Sequence, residues 1–167
     1  VLLQAEKRSI HLADAMAGQI SGLITTLDLE LRDLRHQWLR DPGGFNEVAL
    51  GVIDTLPRGL IAHISVANAD GQVIHDTQDI QGAAFIGDQA HFLAQRDAAA
   101  DDRMVIGKAV ESQVTEGWVV VVSRAILVNG RFVGSVQMMV SAAFIARRLG
   151  ALRLSERDVV SLILPDG

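Results

Sequence analysis

Apolar side chains recur at three- and four-residue intervals along the first forty residues, and charged side chains lie mainly on the other sides. This spacing predicts one amphipathic helix over residues 3–40, which the sequence Asp-Pro-Gly-Gly at 41–44 would end. Such a helix would be on the order of 55 Å long, more than the diameter of a small domain. We therefore expect part of it to project from the domain or to pair with a second copy of the chain.

The period of the pattern changes after this helix. Residues 45–55 keep helical spacing and predict a second, shorter helix. Around Asp70-Gly71 apolar and polar residues alternate, which predicts a β-hairpin. Residues 77–102 are small, polar and glycine-bearing. We interpret this segment as a lid that carries one short helix near 89–98.

The C-terminal part predicts three more strands, near 103–112, 117–128 and 131–141, and then a helix near 142–150. The predicted fold is therefore α+β. The long N-terminal helix packs on a central antiparallel sheet of about five strands, with helices on one face and the lid over the other.

Asn129-Gly130 predicts a two-residue type I′ turn, so that Val128 faces Arg131 and pairing continues residue by residue along both strands. This register gives one face that is almost entirely apolar and that we expect to pack on the long helix. Its members are Val119, Val121, Ser123, Ala125, Leu127, Phe132, Gly134, Val136, Met138 and Val140. The opposite face is mixed, and its members are Trp118, Val120, Val122, Arg124, Ile126, Val133, Ser135, Gln137, Met139 and Ser141.

A mostly apolar surface with a few convergent polar groups is typical of a small-molecule pocket. The mixed face therefore predicts a ligand site under the lid. The candidate residues from the pattern are Trp118, Arg124, Ser135 and Gln137 on this face, His63 and Lys108 on neighbouring strands, and His91 and Arg96 in the lid. Several of these groups are positive or donate hydrogen bonds, so an anionic ligand such as a carboxylate would suit them. The alternative is that the cationic side chains are solvated, that Trp118 belongs to the core and that the histidines bind no ligand.

The composition of the chain excludes several classes of function. The 167 residues are 49% apolar and suffice for one domain with a buried core. A formal charge of −5 argues against a nucleic-acid partner, which would need clustered Lys and Arg. The chain has no cysteine, which excludes a disulfide framework and a thiolate nucleophile.

Motifs of catalysis do not occur: the sequence has no HExxH, Walker loop, GxSxG or GxGxxG. The histidines are too dispersed to suggest a metal site, and the acidic residues form no convincing acid–base pair. We therefore expect no enzyme activity, no metal and no cofactor.

The segments GDQAHFLAQRD, VIGKAV, GWVVVVSRAI and NGRFVGSVQMMV follow the long helix and ISVANADGQVIH in a fixed order. This series resembles the Cache/PDC-type, PAS-like extracytoplasmic sensor domains of bacterial transmembrane receptors. The resemblance implies the periplasmic input module of a histidine kinase, diguanylate cyclase or chemoreceptor in the inner membrane. No apolar run reaches the roughly 18–20 residues that cross a bilayer, so membrane attachment is expected only through segments outside this chain.

The resemblance also implies site residues. Asp88, His91 and Phe92 match the family's lid, and Trp118, Ser123 and Arg124 match the strand that lines its cavity. Three positions depart from the family: the chain has Gln89, Lys108-Ala109 and Ala125 where arginine, Arg-Pro and a second arginine are usual. Because the chain has no tyrosine, the tyrosine-bearing amino-acid signature is absent and an amino-acid ligand receives no support.

The implied organisation is a membrane-proximal stalk helix over 1–44 and a sensor domain over 45–150. Residues 151–167 would begin a further element, such as a second sensor domain, because VVSLILPDG reads as a strand and turn without a returning partner. We expect ligand binding under the lid to shift the long helix, in a homodimer formed through that helix. The alternative is a ligand-free structural and dimerisation module of the same receptor.

Overall fold

A computed structural model describes residues 2–79, 84–112 and 114–150. The element expected over 151–167 lies outside these ranges. The helices are α1 (Leu2–Arg40), α2 (Phe45–Thr55), α3 (Ala90–Asp97) and α4 (Ala142–Gly150), with a 3₁₀ turn at Ala99–Asp101. The strands are β1 (Ile61–Asn68), β2 (Val73–Asp76), β3 (Val105–Glu111), β4 (Trp118–Val128) and β5 (Arg131–Ser141).

The strands form one antiparallel five-stranded sheet in the order β2-β1-β5-β4-β3. The predicted α+β fold is confirmed: α1 lies on one face of the sheet, and α3, in the lid, contacts β3, β4 and β5. Residues 77–79 and 84–102 are the described part of the lid.

The main core lies between α1, α2 and the sheet. Leu27, Leu31 and Leu34 of α1 are buried at helical spacing, and they pack with Phe45 and with apolar residues of β1, β4 and β5. The N-terminal part of α1 is different, because Leu3 and Ile10 are 72% and 54% exposed. The N-terminal end of the long helix is therefore uncovered, as its length predicted, and burial begins at Met16. In the described part of the chain no helix combines the length and the hydropathy needed to cross a bilayer.

The β4–β5 hairpin turns as predicted but does not keep the predicted register. Asn129 and Gly130 both have positive φ, 50° and 75°, as a type I′ turn requires. Beyond Leu127, which faces Phe132, a bulge follows: Ile126 faces Gly134, and Val133 is the extra residue. Because of this one extra residue, each β4 side chain beyond the bulge lies on the side of the sheet opposite to the one predicted from the turn.

The predicted faces of β4 are consequently wrong, whereas those of β5 are correct over residues 135–140. Phe132, which was expected to pack on α1, lies on the lid side against Phe92. Val122 and Ile126 pack with α1 in the main core, and Arg124 lies on the same side. Val119 and Val121 pack with Met139 on the lid side. Both faces of β4 are mostly apolar, so hydropathy alone could not choose between them.

The bulge coincides with a close contact between β5 and β1. Gly134 faces Asn68, and a Cβ atom built on Gly134 would lie 2.2 Å from the carbonyl oxygen of Ala67. Only glycine fits at that distance. The bulge between β4 and β5 therefore lies at the same residue as the close approach of β5 to β1, a strand distant in sequence.

Candidate ligand-binding site

A partly open cavity of about 630 Å³ lies between the lid and the sheet face formed by Val119, Val121, Gln137 and Met139. Its volume is within the range of small-molecule sites, roughly 300–1,000 Å³. Apolar side chains from β3, β4 and the lid make up much of its wall. The polar lining residues are His63, Ser65, Asp76, Gln89, His91, Lys108, Glu111, Ser112 and Gln137.

Strand pairing aligns four polar residues across the lid side of the sheet. Ser65 faces Asp76 on one side and Gln137 on the other, and Gln137 faces Ser123. Ser65, Gln137 and Ser123 are all buried. The Gln137 amide donates to the Ser135 hydroxyl at 3.1 Å, which orients it. This row places fixed hydrogen-bonding groups beneath the lid.

His63 and Asp76 form a buried pair in the cavity wall. Nδ1 of His63 lies 2.8 Å from Oδ2 of Asp76, and both side chains are only 7% exposed. The other carboxylate oxygen of Asp76 accepts the backbone N–H of Gln78 at 2.8 Å. Because both oxygens are engaged, the carboxylate holds the imidazole in a fixed orientation.

His91 comes from the lid and faces the sheet. Its Nε2 atom is buried and has no hydrogen-bond partner among the residues that the structure describes. Burial lowers the pKa of His91, and the neighbouring Gln137 amide offsets part of that effect. A ligand atom that hydrogen-bonds to Nε2 would satisfy this group, since unpaired buried polar atoms are costly.

The lid is attached to the sheet at its N-terminal side. The backbone N–H of Val73 donates to Ala84, and that of Ile86 donates to Gly71, each at 2.8 Å. A Cβ atom on Gly71 would lie 2.2 Å from Cα of Gly87, so two glycines permit this approach. Phe92 is buried nearby and packs edge-on against Phe132.

The structure brings together only part of the predicted site. His63, His91, Lys108 and Gln137 line the cavity, and Ser135 lies beside Gln137 on the same face. Trp118 is 57% exposed at the start of β4, and Phe92 belongs to a small core. Asp88 and Arg96 are exposed and do not line the cavity.

The predicted position of Arg124 in the cavity is wrong. Its side chain is 4% exposed and lies on the α1 side of the sheet, away from the cavity. Nε donates to Asp28 at 2.5 Å, and Nη1 donates to the backbone carbonyl of Asp102 at 2.6 Å. The hydrogen bond and charge of Arg124 lower the pKa of the Asp28 carboxyl. The reason is the bulge, which shifts the register by one residue and places Arg124 on the α1 face of the sheet.

Sequence reasoning missed Ser65, Asp76, Gln89, Glu111 and Ser112 in the cavity wall. Alternation along β1 puts Ser65 on the same face as His63, and this signal could have identified it. Asp76 carried no such signal, because only the β1–β2 pairing brings it to His63.

The fold is that of Cache/PDC-type extracellular sensor domains, so the resemblance seen in the sequence is confirmed at the level of the fold. The sequence matches no protein-family model and no curated protein. Among solved structures, the extracellular domain of rpHK1S-Z16, described as a histidine kinase, is similar with a TM-score of 0.79 and 24% identity. The match covers 92% of this chain and 64% of that one.

Two chemoreceptor domains are similar at lower identity. The ligand-binding domain of Campylobacter jejuni Tlp3, in complex with 4-methylisoleucine, has a TM-score of 0.65 at 12% identity and covers 83% of this chain and 58% of its own. The ligand-binding domain of Pseudomonas aeruginosa PctB, in complex with L-Arg, has a TM-score of 0.67 at 13% identity. The match covers 84% of this chain and 59% of the PctB chain. These three are extracellular or ligand-binding domains, and this chain spans about 60% of their lengths.

Proposed function

We propose that this chain is an extracytoplasmic sensor domain of a transmembrane signalling protein and that it binds a small molecule between the sheet and the lid. The observation that carries this proposal is the cavity of about 630 Å³, whose wall is largely apolar but holds the oriented His63–Asp76 pair and Gln137. His91 also lines it, and its buried Nε2 has no hydrogen-bond partner within the described residues. Convergent fixed polar groups in an apolar cavity provide orientation and specificity for a small ligand. The role is binding rather than catalysis.

The proposed ligand class is a small molecule with a carboxylate, amino acids included. Lys108 lines the cavity as a flexible cation, and His63 and His91 supply hydrogen-bonding nitrogens. Arg124 lies on the other side of the sheet, which leaves Lys108 as the positively charged side chain of the described lining, apart from any protonated histidine. Amino acids are included because the similar chemoreceptor structures hold them.

A thermal-shift screen of small carboxylic acids and L-amino acids tests this function. A ligand at 100 times its dissociation constant stabilises the folded state by about 2.7 kcal/mol, which gives a clear rise in Tm. For any hit, His91→Ala and Gln137→Ala should weaken binding by roughly 1–2 kcal/mol. His36→Ala, an exposed histidine of α1, is the matched control and should leave binding unchanged.

The screen also decides against the proposal if it fails. If no compound of this class raises the Tm, the result would favour the ligand-free structural module. Hits that His91→Ala and Gln137→Ala leave unaltered would place binding outside this cavity.

A homodimer through α1 is part of the proposal. The exposed apolar residues Leu3 and Ile10 lie on the part of α1 that its own sheet does not cover. Sedimentation equilibrium should detect a dimer, and Ile10→Glu should dissociate it while Ser9→Glu, on a neighbouring exposed position, should not. A monomer at high concentration would exclude this mode of assembly.

The wider context is proposed from the likeness to receptor domains. Residues 1–44 would form the stalk and 45–150 the sensor domain of a histidine kinase, diguanylate cyclase or chemoreceptor, with this part in the periplasm. A ligand that binds one arrangement of lid and helix more tightly would shift the population of α1 positions.

A further inference from the structure

Two successive residues of β4 contact different helices on opposite sides of the sheet. The Ser123 hydroxyl lies 3.1 Å from the side-chain amide of Gln95, a fully buried residue of α3 in the lid. The Arg124 guanidinium lies on the other side and binds Asp28 of α1 through Nε and Nη2, at 2.5 and 3.1 Å. One short piece of strand is therefore fixed both to the lid and to the long helix.

Asp102, which follows the 3₁₀ turn at the end of the lid, joins these elements a second time. Its backbone carbonyl and its carboxylate accept hydrogen bonds from Nη1 of Arg124 at 2.6 and 3.1 Å. The same carboxylate accepts from Arg35 of α1, which also donates to the backbone carbonyl of Ala125. We call Asp28, Arg35, Asp102 and Arg124 the arginine–aspartate cluster.

We propose that the arginine–aspartate cluster couples the lid to α1, so that a change in how the lid sits over the cavity alters the packing of α1 against the sheet. This rests on the proposed function, in which the lid covers the ligand. If Asp102 moved away with the lid, the buried Nη1 of Arg124 would lose its acceptors. A buried donor without an acceptor is costly, so the end of the lid and its contacts with α1 must change together.

The chemistry of the cluster favours coupling over simple stabilisation. A buried ion pair contributes little net stability compared with apolar side chains of similar volume, because desolvation offsets the attraction. Removing one partner is nevertheless costly, because the other charge is left unpaired. Such a group therefore ties the position of each partner to that of the others, which is what coupling between two sites requires.

Hydrogen–deuterium exchange on the 167-residue chain, without ligand, tests this coupling. Asp28→Asn removes an acceptor charge from α1 and should raise the exchange of lid amides at 90–102 about tenfold, with β1 and β5 unchanged. Asp102→Asn keeps a residue that tolerates the left-handed backbone seen at this position (φ 44°), and it should raise exchange in α1 near residues 28–35. Asp33→Asn, an exposed aspartate of α1, is the matched control and should change neither.

The proposal is overturned if Asp28→Asn leaves lid exchange unchanged. It is also overturned if exchange rises equally in the lid and in β1 and β5, since that result reports global destabilisation. Because the measurement uses no ligand, a failed ligand screen would remove the proposed function and leave this coupling intact. A failed exchange test would leave ligand binding intact.

Discussion

Arg124 of β4 and Asp28 of α1 form a two-point ion pair across 96 residues of sequence, with Nε donating to Oδ1 at 2.5 Å and Nη2 to Oδ2 at 3.1 Å. The Arg124 side chain is 4% exposed and that of Asp28 is 22% exposed. A planar guanidinium matches a carboxylate in this geometry, which a lysine ammonium could not reproduce. The pair therefore fixes the position of α1 along the sheet.

Replacing Arg124 with methionine should destabilise the fold. The substitution keeps an unbranched side chain but removes the Arg124 donors from Asp28, which keeps Arg32 as a partner, and from the Asp102 carbonyl. Losing hydrogen bonds to a charged group costs about 1.5–3 kcal/mol. Urea denaturation measures the difference in the free energy of unfolding. Arg96→Met, at an exposed lid position, should change it by less than about 0.5 kcal/mol. Equal losses in both variants would contradict a structural role for the pair.

Acid should weaken the fold through the same cluster. Arg124 lowers the pKa of Asp28, and Arg35 lowers that of Asp102, from the ordinary value of 3.8. The folded state therefore binds these protons less readily than the unfolded state. Their contribution to stability is fully present above pH 3.8 and is lost as the pH falls through the folded-state pKa values.

The free energy of unfolding, measured from about pH 5 to about pH 2.5, checks this dependence. The double variant Asp28→Asn/Asp102→Asn should lose less stability over that interval than the unmodified chain. Because other carboxylates also titrate there, Asp33→Asn serves as the reference and should keep the full slope. A double variant with the same slope as this reference would show that the cluster does not control acid stability.

Gly134→Ala should destabilise the protein. The added methyl carbon would lie 2.2 Å from the carbonyl oxygen of Ala67, so β5 would have to move away from β1. Overpacking of this kind costs typically about 1–3 kcal/mol, which thermal unfolding would detect as a fall in Tm. Gly22→Ala, in α1, has no atom within 4 Å of the new carbon and should raise Tm slightly, because alanine favours helix. A neutral Gly134→Ala would show that the bulge can relax.

Filling the cavity should abolish ligand binding without unfolding the domain. Ala94 lies on α3 and lines the cavity, so Ala94→Trp would occupy part of its volume. The ligand-induced rise in Tm should disappear, while stability without ligand changes by no more than about 1 kcal/mol. Ala100→Trp, an exposed position of the same lid that does not line the cavity, should retain the shift. Retained binding in Ala94→Trp would place the ligand elsewhere.

Much of the fold was accessible from the pattern of the sequence, because each element carries a local signal. The period of apolar residues predicted α1 over 3–40, and the helix spans Leu2–Arg40. Asn129-Gly130 predicted a turn with two positive φ angles, which the structure has. The site was accessible only in part. The β5 side of the cavity followed from alternation. The β4 side was misassigned because the predicted register runs through Gly134 without a break, although an isolated glycine inside a strand often marks a bulge.

The sequence by itself determined which segments are helix, strand and turn, and that a mixed polar face exists, because these properties depend on neighbours within a few residues. Only the tertiary structure decided which face of β4 meets α1, that Arg124 binds Asp28, and that Asp76 orients His63 beneath the lid. Those outcomes depend on the contact between Gly134 and Ala67 and on charge pairs between residues far apart in the chain. Local periodicity does not encode such pairs.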